Sequence, residues 1–384
     1  MQPTDFKQAK PGRIVRTPQG YWAFVPNALE PQLEFQLPLI RTLSQADRAL
    51  SELSGIAKTL PNPHLLIGPF IRREAVLSSK IEGTQASFSD LLFFEAANLS
   101  KIPDVREVAN YVIALQYGLE RLRELPVSLR VIREIHATLL DGVRGKEQTP
   151  GEFRRSQNWI GSPGCTLMEA IYVPPPVEEM KAALSAFEKY LHTPSELPPL
   201  IRMALIHYQF EAIHPFLDGN GRIGRLLITL LLCSESILPQ PLLYLSAFFE
   251  RHRNDYYRLL LEVSQTGAWT EWITFFLKAV AIQAKDAIRR SDKLLRLWQT
   301  YRNLMQQVRA SALLLKLVDD LFSYPAITNS HASRRLSITP RSAQLNIDKL
   351  VTAGILKETT GQVRNRVYIA PEILSIIEEQ DVEP

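Results

Sequence analysis

The chain has 384 residues, of which 46% are hydrophobic and 22% charged, with a net charge of +4. That is enough apolar material for two or three domains with real cores, while the charge is too mild and too dispersed to imply a nucleic-acid partner by itself. No apolar run reaches the roughly 18 to 20 residues a membrane span needs, the N-terminus MQPTDFKQAK lacks a signal core, and two distant cysteines, Cys165 and Cys233, suit a reducing cytoplasm better than a disulfide scaffold or a zinc site.

In chain order, the first 35 or so residues are rich in Pro and Gln and predict extended chain. Helical spacing of apolar residues then dominates from about Ser44 to Phe322, with clear amphipathic helices over 44–60, 103–125, 127–143 and 177–191. LPNP at 60–63 and TPSELPP at 193–199 read as loops. In IRREAVLSSKIEGTQAS, Ser78 and Glu82 fall four apart on one helix face, and Gly83 is placed to end that helix. The segment from Gly151, GEFRRSQNWIGSPGCTLMEAIYVPPP, predicts two short strands around a Ser-Pro-Gly turn, closed by prolines that cannot continue a sheet. No internal repeat is evident.

Residues 214–225, HPFLDGNGRIGR, concentrate phosphate chemistry in one turn. His214 titrates nearest neutral pH and can accept a proton from a hydroxyl, and Pro215 predicts extended backbone for it. Asp218 offers a hard oxygen suited to Mg²⁺, which takes its remaining ligands from water and phosphate. Gly219, Asn220 and Gly221 let backbone N–H groups converge on an anion where the next helix begins. Arg222 and Arg225 oppose that helix's dipole unless they meet an anion. The six other histidines, His64, His136, His192, His207, His252 and His331, show no HxxxH or HxH spacing and read as structural.

Beyond a boundary near 291–307 come three helices and a hairpin. Thr339 is a good N-cap followed by Pro340 at N1, and Gly354 closes the third helix. The pattern resembles a winged helix-turn-helix, with 340–353 as recognition helix and Gly361 at the wing tip. Arg341 and Arg364 would face DNA, and Gln344 and Asn346 are its obvious base readers. The expected division is an N-terminal segment at 1–100, a core at 101–290, a linker helix at 291–307 and the winged helix at 308–384.

HPFLDGNGRIGR resembles, at every defining position, the signature of the Fic family, whose members mostly transfer AMP from ATP to a protein hydroxyl. The resemblance implies a mainly α fold, a Fic-type helical bundle with a β-hairpin flap, with ATP and Mg²⁺ as its requirements. It implies His214 as base, Asp218 on the metal, and Gly219, Asn220, Gly221, Arg222, Gly224 and Arg225 around the phosphates. The stretch from Ser78 to Gly83 resembles the family's inhibitory motif, by which Glu82 would pair with Arg225 and misalign ATP. The segment from Gly151 resembles the flap that holds a target by strand addition, with Ile160, Gly161 and Ser162 near the nucleotide. Tyr256 and, less typically, Ser264 match positions that contact the base, whereas Tyr257, Trp269 and Trp272 read as core. REVANYVIAL resembles a helix behind the site, in which Asn110 and Tyr111 read as packing.

The leading reading is therefore a self-inhibited, cytoplasmic protein adenylyltransferase that acts on a Ser, Thr or Tyr hydroxyl of a target protein or of itself. A second, from another class, is a transcription regulator that binds DNA through the winged helix; protein contacts are the other use of that module. Removal of AMP by the same site is a third. No membrane partner is implied, and a homodimer is compatible with the sequence.

Overall fold

The computed structural model describes residues 1–6, 10–29, 31–59, 64–97, 104–143, 147–307, 311–361 and 366–379. The chain divides into two compact units, neither contiguous in sequence. Unit one comprises Met1–Ser51, Ile113–Ile237 and Phe248–Ile282, and unit two comprises Glu52–Val112, Leu238–Ala247 and Gln283–Pro384. The Ser78–Gly83 segment thus lies in the same compact unit as the C-terminal elements. Residues 291–307, expected as a linker inside or after a long polar helix, lie inside one. They are the interior and end of one long helix, α11 (Trp269–Gln307), whose sequence contains no Gly or Pro to stop it.

Unit one is helical around α7 (Pro199–Ile213), which is apolar on nearly every side and is buried accordingly. Around it pack α6 (Val177–His192), α8 (Asn220–Ser234) and α10 (Arg253–Thr266), and α5 (Leu129–Leu139) packs on α8. Ser128 caps α5, its hydroxyl accepting from the Val131 N–H. Trp272 of α11 is fully buried and donates its indole N–H to the Ala204 carbonyl of α7 at 2.9 Å, the core role expected of it. Tyr257 is 41% exposed, contrary to the expectation of core packing, because its neighbour Tyr256 takes the inward position of α10.

The N-terminal residues are not simply extended. Strands β1 (Gly12–Arg16) and β2 (Trp22–Pro26) pair antiparallel, with Gly12 opposite Pro26 and Arg16 opposite Trp22, and β2 lies against α6 and α7. Ala23, Phe24 and Val25 are buried on both faces of β2, Phe24 against Phe6 and Tyr172 and Ala23 against Ala170 and Val173, apolar material that the Pro-rich composition conceals.

In unit two, α2 (His64–Ile81) packs against α12 (Ala312–Ser323) and α3 (Phe88–Ala97). Then follow β3 (Ala326–Thr328), α13 (Asn329–Leu336), α14 (Pro340–Thr352), β4 (Lys357–Glu358), β5 (Val367–Ile369) and α15 (Pro371–Glu378). The strands form an antiparallel sheet in the order β3-β5-β4. Three helices followed by a paired β4–β5 hairpin is the order the sequence predicted for this segment, with β3 inserted after the first helix. Its helix signals act as read: the Thr339 hydroxyl accepts from the Ser342 N–H, Pro340 opens α14, and Gly354 follows its end in the left-handed region. The carbonyls at the end of α15 are held by the buried Arg290, which donates to Ile377 and Glu379 at 3.0 and 2.6 Å. Two base-reader expectations are corrected. Gln344 is half-buried and bonds Asp348, Tyr368 and Asn329, and Asn346 is buried and donates to the Ser342 carbonyl, so both side chains already have partners within the chain. Arg364 and the 60–63 loop lie outside the described residues. Among the described residues no helix is long and apolar enough to cross a membrane.

Candidate functional site

The segment from His214 to Arg225 joins α7 to α8 within unit one. His214 caps α7, but its backbone is left-handed, at φ 50° and ψ 60°, rather than extended. Such a conformation costs a non-glycine residue about 1–2 kcal/mol and must be imposed by its surroundings. Those surroundings are explicit. The His214 N–H donates to the Phe210 carbonyl at 3.0 Å, while the His214 carbonyl accepts from Arg154 Nε at 3.0 Å and from Asn158 Nδ2 at 3.2 Å. On the ring, Nδ1 lies 3.3 Å from the Glu211 carbonyl. A carbonyl only accepts, so this contact places the proton on Nδ1 and makes Nε2 the basic nitrogen of the neutral ring.

The turn after His214 is closed by its own Asn220, whose amide donates to the Phe216 carbonyl and accepts from the Phe216 N–H, both at 2.8 Å. The Asn220 side chain therefore holds the loop, leaving its backbone for any anion. Asp218 Oδ1 accepts from the Gly219 N–H at 2.6 Å and lies 3.5 Å from Arg222. Gly219 begins α8 in the left-handed region, and helix geometry leaves the N–H groups of Asn220 and Gly221 without intrahelical acceptors. Arg222 and Arg225 are both buried. At Gly224, a Cβ would sit 2.2 Å from Glu211 Oε1, so this helix position admits the Glu211 side chain only because none is present.

Two histidines read as structural are structural in a specific way: both brace this segment. His136 of α5 stacks on Phe216 with centroids 3.7 Å apart, accepts from the Gly151 N–H through Nδ1 at 2.8 Å and donates from Nε2 to the Asp218 carbonyl at 3.0 Å. His207 of α7 donates from Nδ1 to the Gly224 carbonyl at 3.1 Å and accepts from the Tyr256 hydroxyl at 2.8 Å. Tyr256 and Ser264, read as base contacts, are instead interior. Tyr256 is committed to His207, and Ser264 pairs with the Tyr208 hydroxyl at 2.9 Å. Burial raises the Tyr256 phenol well above its ordinary range, and the adjacent Arg225 charge opposes that rise.

The flap differs from a two-stranded hairpin. One isolated bridge, Ile160 with Tyr172, connects its arms. Between them a Ser162–Cys165 turn carries Gly164 at φ 80°, and Thr166 and Glu169 form a capping box over a single 3-10 turn. Pro163 and the run Pro174–Pro176 remove the N–H groups that longer strands would need. Outward from this bridge stand Trp159, Ile160, Met168 and Ile171, exposed by 41, 38, 72 and 54%. Gly161 packs so closely on Cys165 that a Cβ would lie 2.5 Å from its sulfur.

Sequence reasoning missed Arg154, Asn158 and His136. Arg154 is buried at the foot of the flap and bonds the His214 and Pro175 carbonyls at 3.0 and 2.5 Å; burial lowers it to about 10. Asn158 reaches the Phe216 carbonyl at 2.7 Å. A usable signal existed for His136, which falls on the apolar face of α5 with Val131, Ile132, Ile135 and Leu139, where a polar ring must find partners.

Burial lowers His136 to about 4 and His207 to about 3, both below the ordinary value of 6.5. Each is neutral in the folded chain and readily protonated when unfolded, so their stabilisation is complete above pH 6.5 and is lost as pH falls toward the folded values. Unfolding free energy should drop by about 1.4 kcal/mol per pH unit for each histidine below pH 6. Urea unfolding at pH 7 and pH 5 measures the slope, and His136→Gln should reduce it; an unchanged slope in that variant removes His136 from the account.

Among the described residues no group of three or more His, Cys, Asp and Glu could hold a metal ion. Asp218, its side chain 37% exposed, is a single-carboxylate donor.

Residues 40–120 match the model described as Fic/DOC family N-terminal, and residues 126–232 match that described as Fic/DOC family. Among curated proteins, the chain is 30% identical over 168 residues to the Protein adenylyltransferase Fic of Drosophila yakuba, covering 43% of this chain and 30% of that protein. It is 33% identical over 147 residues to that of Drosophila virilis, covering 38 and 28%. It thus spans less than a third of these relatives' length. Among solved structures, a Fic family protein from Desulfovibrio desulfuricans G20 aligns with a TM-score of 0.57 and 16% identity, covering 89% of this chain and 98% of the other. Fic-1 (residues 134–508) from C. elegans aligns at 0.52 and 21%, covering 66 and 74%. Both share the fold. The motif turn, the helices that brace it and these matches agree: the chain carries a Fic/DOC N-terminal domain at 40–120 and a Fic domain at 126–232.

Proposed function

We propose that the chain is a protein adenylyltransferase that transfers AMP from ATP to a Ser, Thr or Tyr hydroxyl of a target protein. The observation that carries this reading is His214, fixed in a left-handed turn with Nδ1 on the Glu211 carbonyl, immediately before the N-terminus of α8. Nε2 takes the proton of the target hydroxyl. The oxygen then bonds to the α-phosphorus while the bond from that phosphorus to the bridging oxygen breaks, and pyrophosphate departs. The Asn220 and Gly221 N–H groups, Arg222 and Arg225 stabilise the phosphate charge, a task of positioning and electrostatics rather than covalent chemistry. Mg²⁺ fits the donor set, since it typically takes one or two carboxylates plus phosphates and waters. Asp218 would hold it, and it would neutralise phosphate charge there.

The exposed apolar side chains of the flap, with the backbone at Ile160 to Ser162, support docking of a target segment over the nucleotide. Glu82 is read as the inhibitor of this activity, competing with the γ-phosphate for Arg225. The internal commitments of Gln344 and Asn346 weigh against base-specific DNA reading by α14. Peptide mapping and intact mass of the Glu82→Gly protein after incubation with ATP and Mg²⁺, alone and with a lysate, test the reaction. Adenylyl groups on Ser, Thr or Tyr are expected. Phosphoryl groups, or no modification of any protein, would overturn the reading.

A further inference from the structure

Within unit two, α2 carries Ser78 and ends at Glu82 and Gly83, and its other end is tied to the C-terminal elements. At Gly68 an added Cβ would lie 2.6 Å from the Ser323 carbonyl, so only glycine allows α2 this close to the end of α12. One turn later Arg72, with its side chain 2% exposed, donates to that same carbonyl at 3.3 Å and to Glu95 of α3 at 2.6 Å. Its guanidinium lies 4.3 Å from the centroid of the Tyr324 ring. Arg335 of α13 lies 4.4 Å from the same ring and bonds Asp320 of α12 at 3.0 Å. Each guanidinium has its own carboxylate, which offsets the repulsion between two cations sharing one ring and leaves the cation–π attraction to join three elements.

From this geometry we infer that Arg72, Tyr324 and Arg335 are positioning residues for the Ser78–Glu82 segment. They tie α2 to α12 and α13, so that a displacement of the helix-turn-helix elements is transmitted to α2. The C-terminal module is in this sense the control surface of the enzyme. The inference rests on the reading of Glu82 as inhibitor, and adds where the regulation enters.

The full chain serves for the test, with Tyr324→Leu to remove the ring, Tyr324→Phe to keep it, and Gly68→Ala to push α2 off Ser323 by a separate route. Tyr324→Leu and Gly68→Ala should each speed hydrogen exchange of the α2 amides about fivefold. They should raise AMP transfer by a similar factor, and add nothing in the Glu82→Gly background; Tyr324→Phe should behave as wild type. Unchanged α2 exchange in both variants, or an equal gain in the Glu82→Gly background, overturns the inference. Faster α2 exchange together with no gain from Glu82→Gly itself would overturn the inhibitory reading instead, and leave the tie between α2 and α12 standing.

Discussion

Glu82→Gly is expected to raise AMP transfer about 10- to 100-fold, the range of a typical coupling free energy between two sites. The local structure explains why such a change should be visible without unfolding the helix. The Gly83 N–H donates to the Lys80 carbonyl and the Thr84 N–H to the Ser79 carbonyl, which is the Schellman pattern with Gly83 at φ 95°. Glu82 is therefore the last residue before the left-handed glycine, at the negative end of the helix dipole, where an acid is locally unfavourable. Ser78 and Ser79 are buried while Glu82 is exposed. Glycine at 82 leaves the Schellman hydrogen bonds in place, since they are made by backbone. Initial rates with α-labelled ATP, compared between wild type and variant with the melting temperatures matched, give the ratio. A ratio of one would remove Glu82 from regulation.

His214→Ala is expected to lower transfer about 10²- to 10⁴-fold in the Glu82→Gly background, the range of a lost general base. Here two effects must be separated, because His214 is the proposed base and also sits in a strained turn. Alanine is a poor occupant of the left-handed region, whereas asparagine tolerates it. His214→Asn thus keeps the turn, with Arg154 and Asn158 still on its carbonyl, and removes the basic nitrogen. If chemistry is lost, both variants fall alike in kcat while their affinity for ATP, measured by titration calorimetry, stays near that of the parent. If Asn restores activity, the loss in Ala belongs to the backbone, and proton transfer by His214 is the wrong account.

Much of this site is legible in the sequence because its parts are contiguous. The dodecapeptide from His214 to Arg225 carries the proposed base, the carboxylate, the start of α8 and both arginines, and local rules suffice for a helix N-terminus, a glycine cap at Gly83 or the Thr339–Pro340 start of α14. The same locality fails at His214 itself. Pro215 predicts extended backbone, and two long-range hydrogen bonds from Arg154 and Asn158 impose the left-handed turn instead. It fails again for the flap, where strand propensity around Ile160 and Tyr172 yields one bridge, since the prolines withhold donors and the Thr166–Glu169 box prefers a tight turn.

By itself, then, the amino-acid sequence determined the mainly helical class, the resemblance of its motif to the Fic signature and the helix ends, all of which depend on spacing within about a dozen residues. Only the tertiary structure decided that His136, Arg154 and Asn158 brace the motif, that Tyr256, Ser264, Gln344 and Asn346 are occupied internally, and that α2 belongs with the C-terminal elements. Most of these are contacts between residues tens to hundreds of positions apart, such as Arg154 with His214 and Tyr256 with His207. A buried polar group must find a partner, but the pattern along the chain does not say which one.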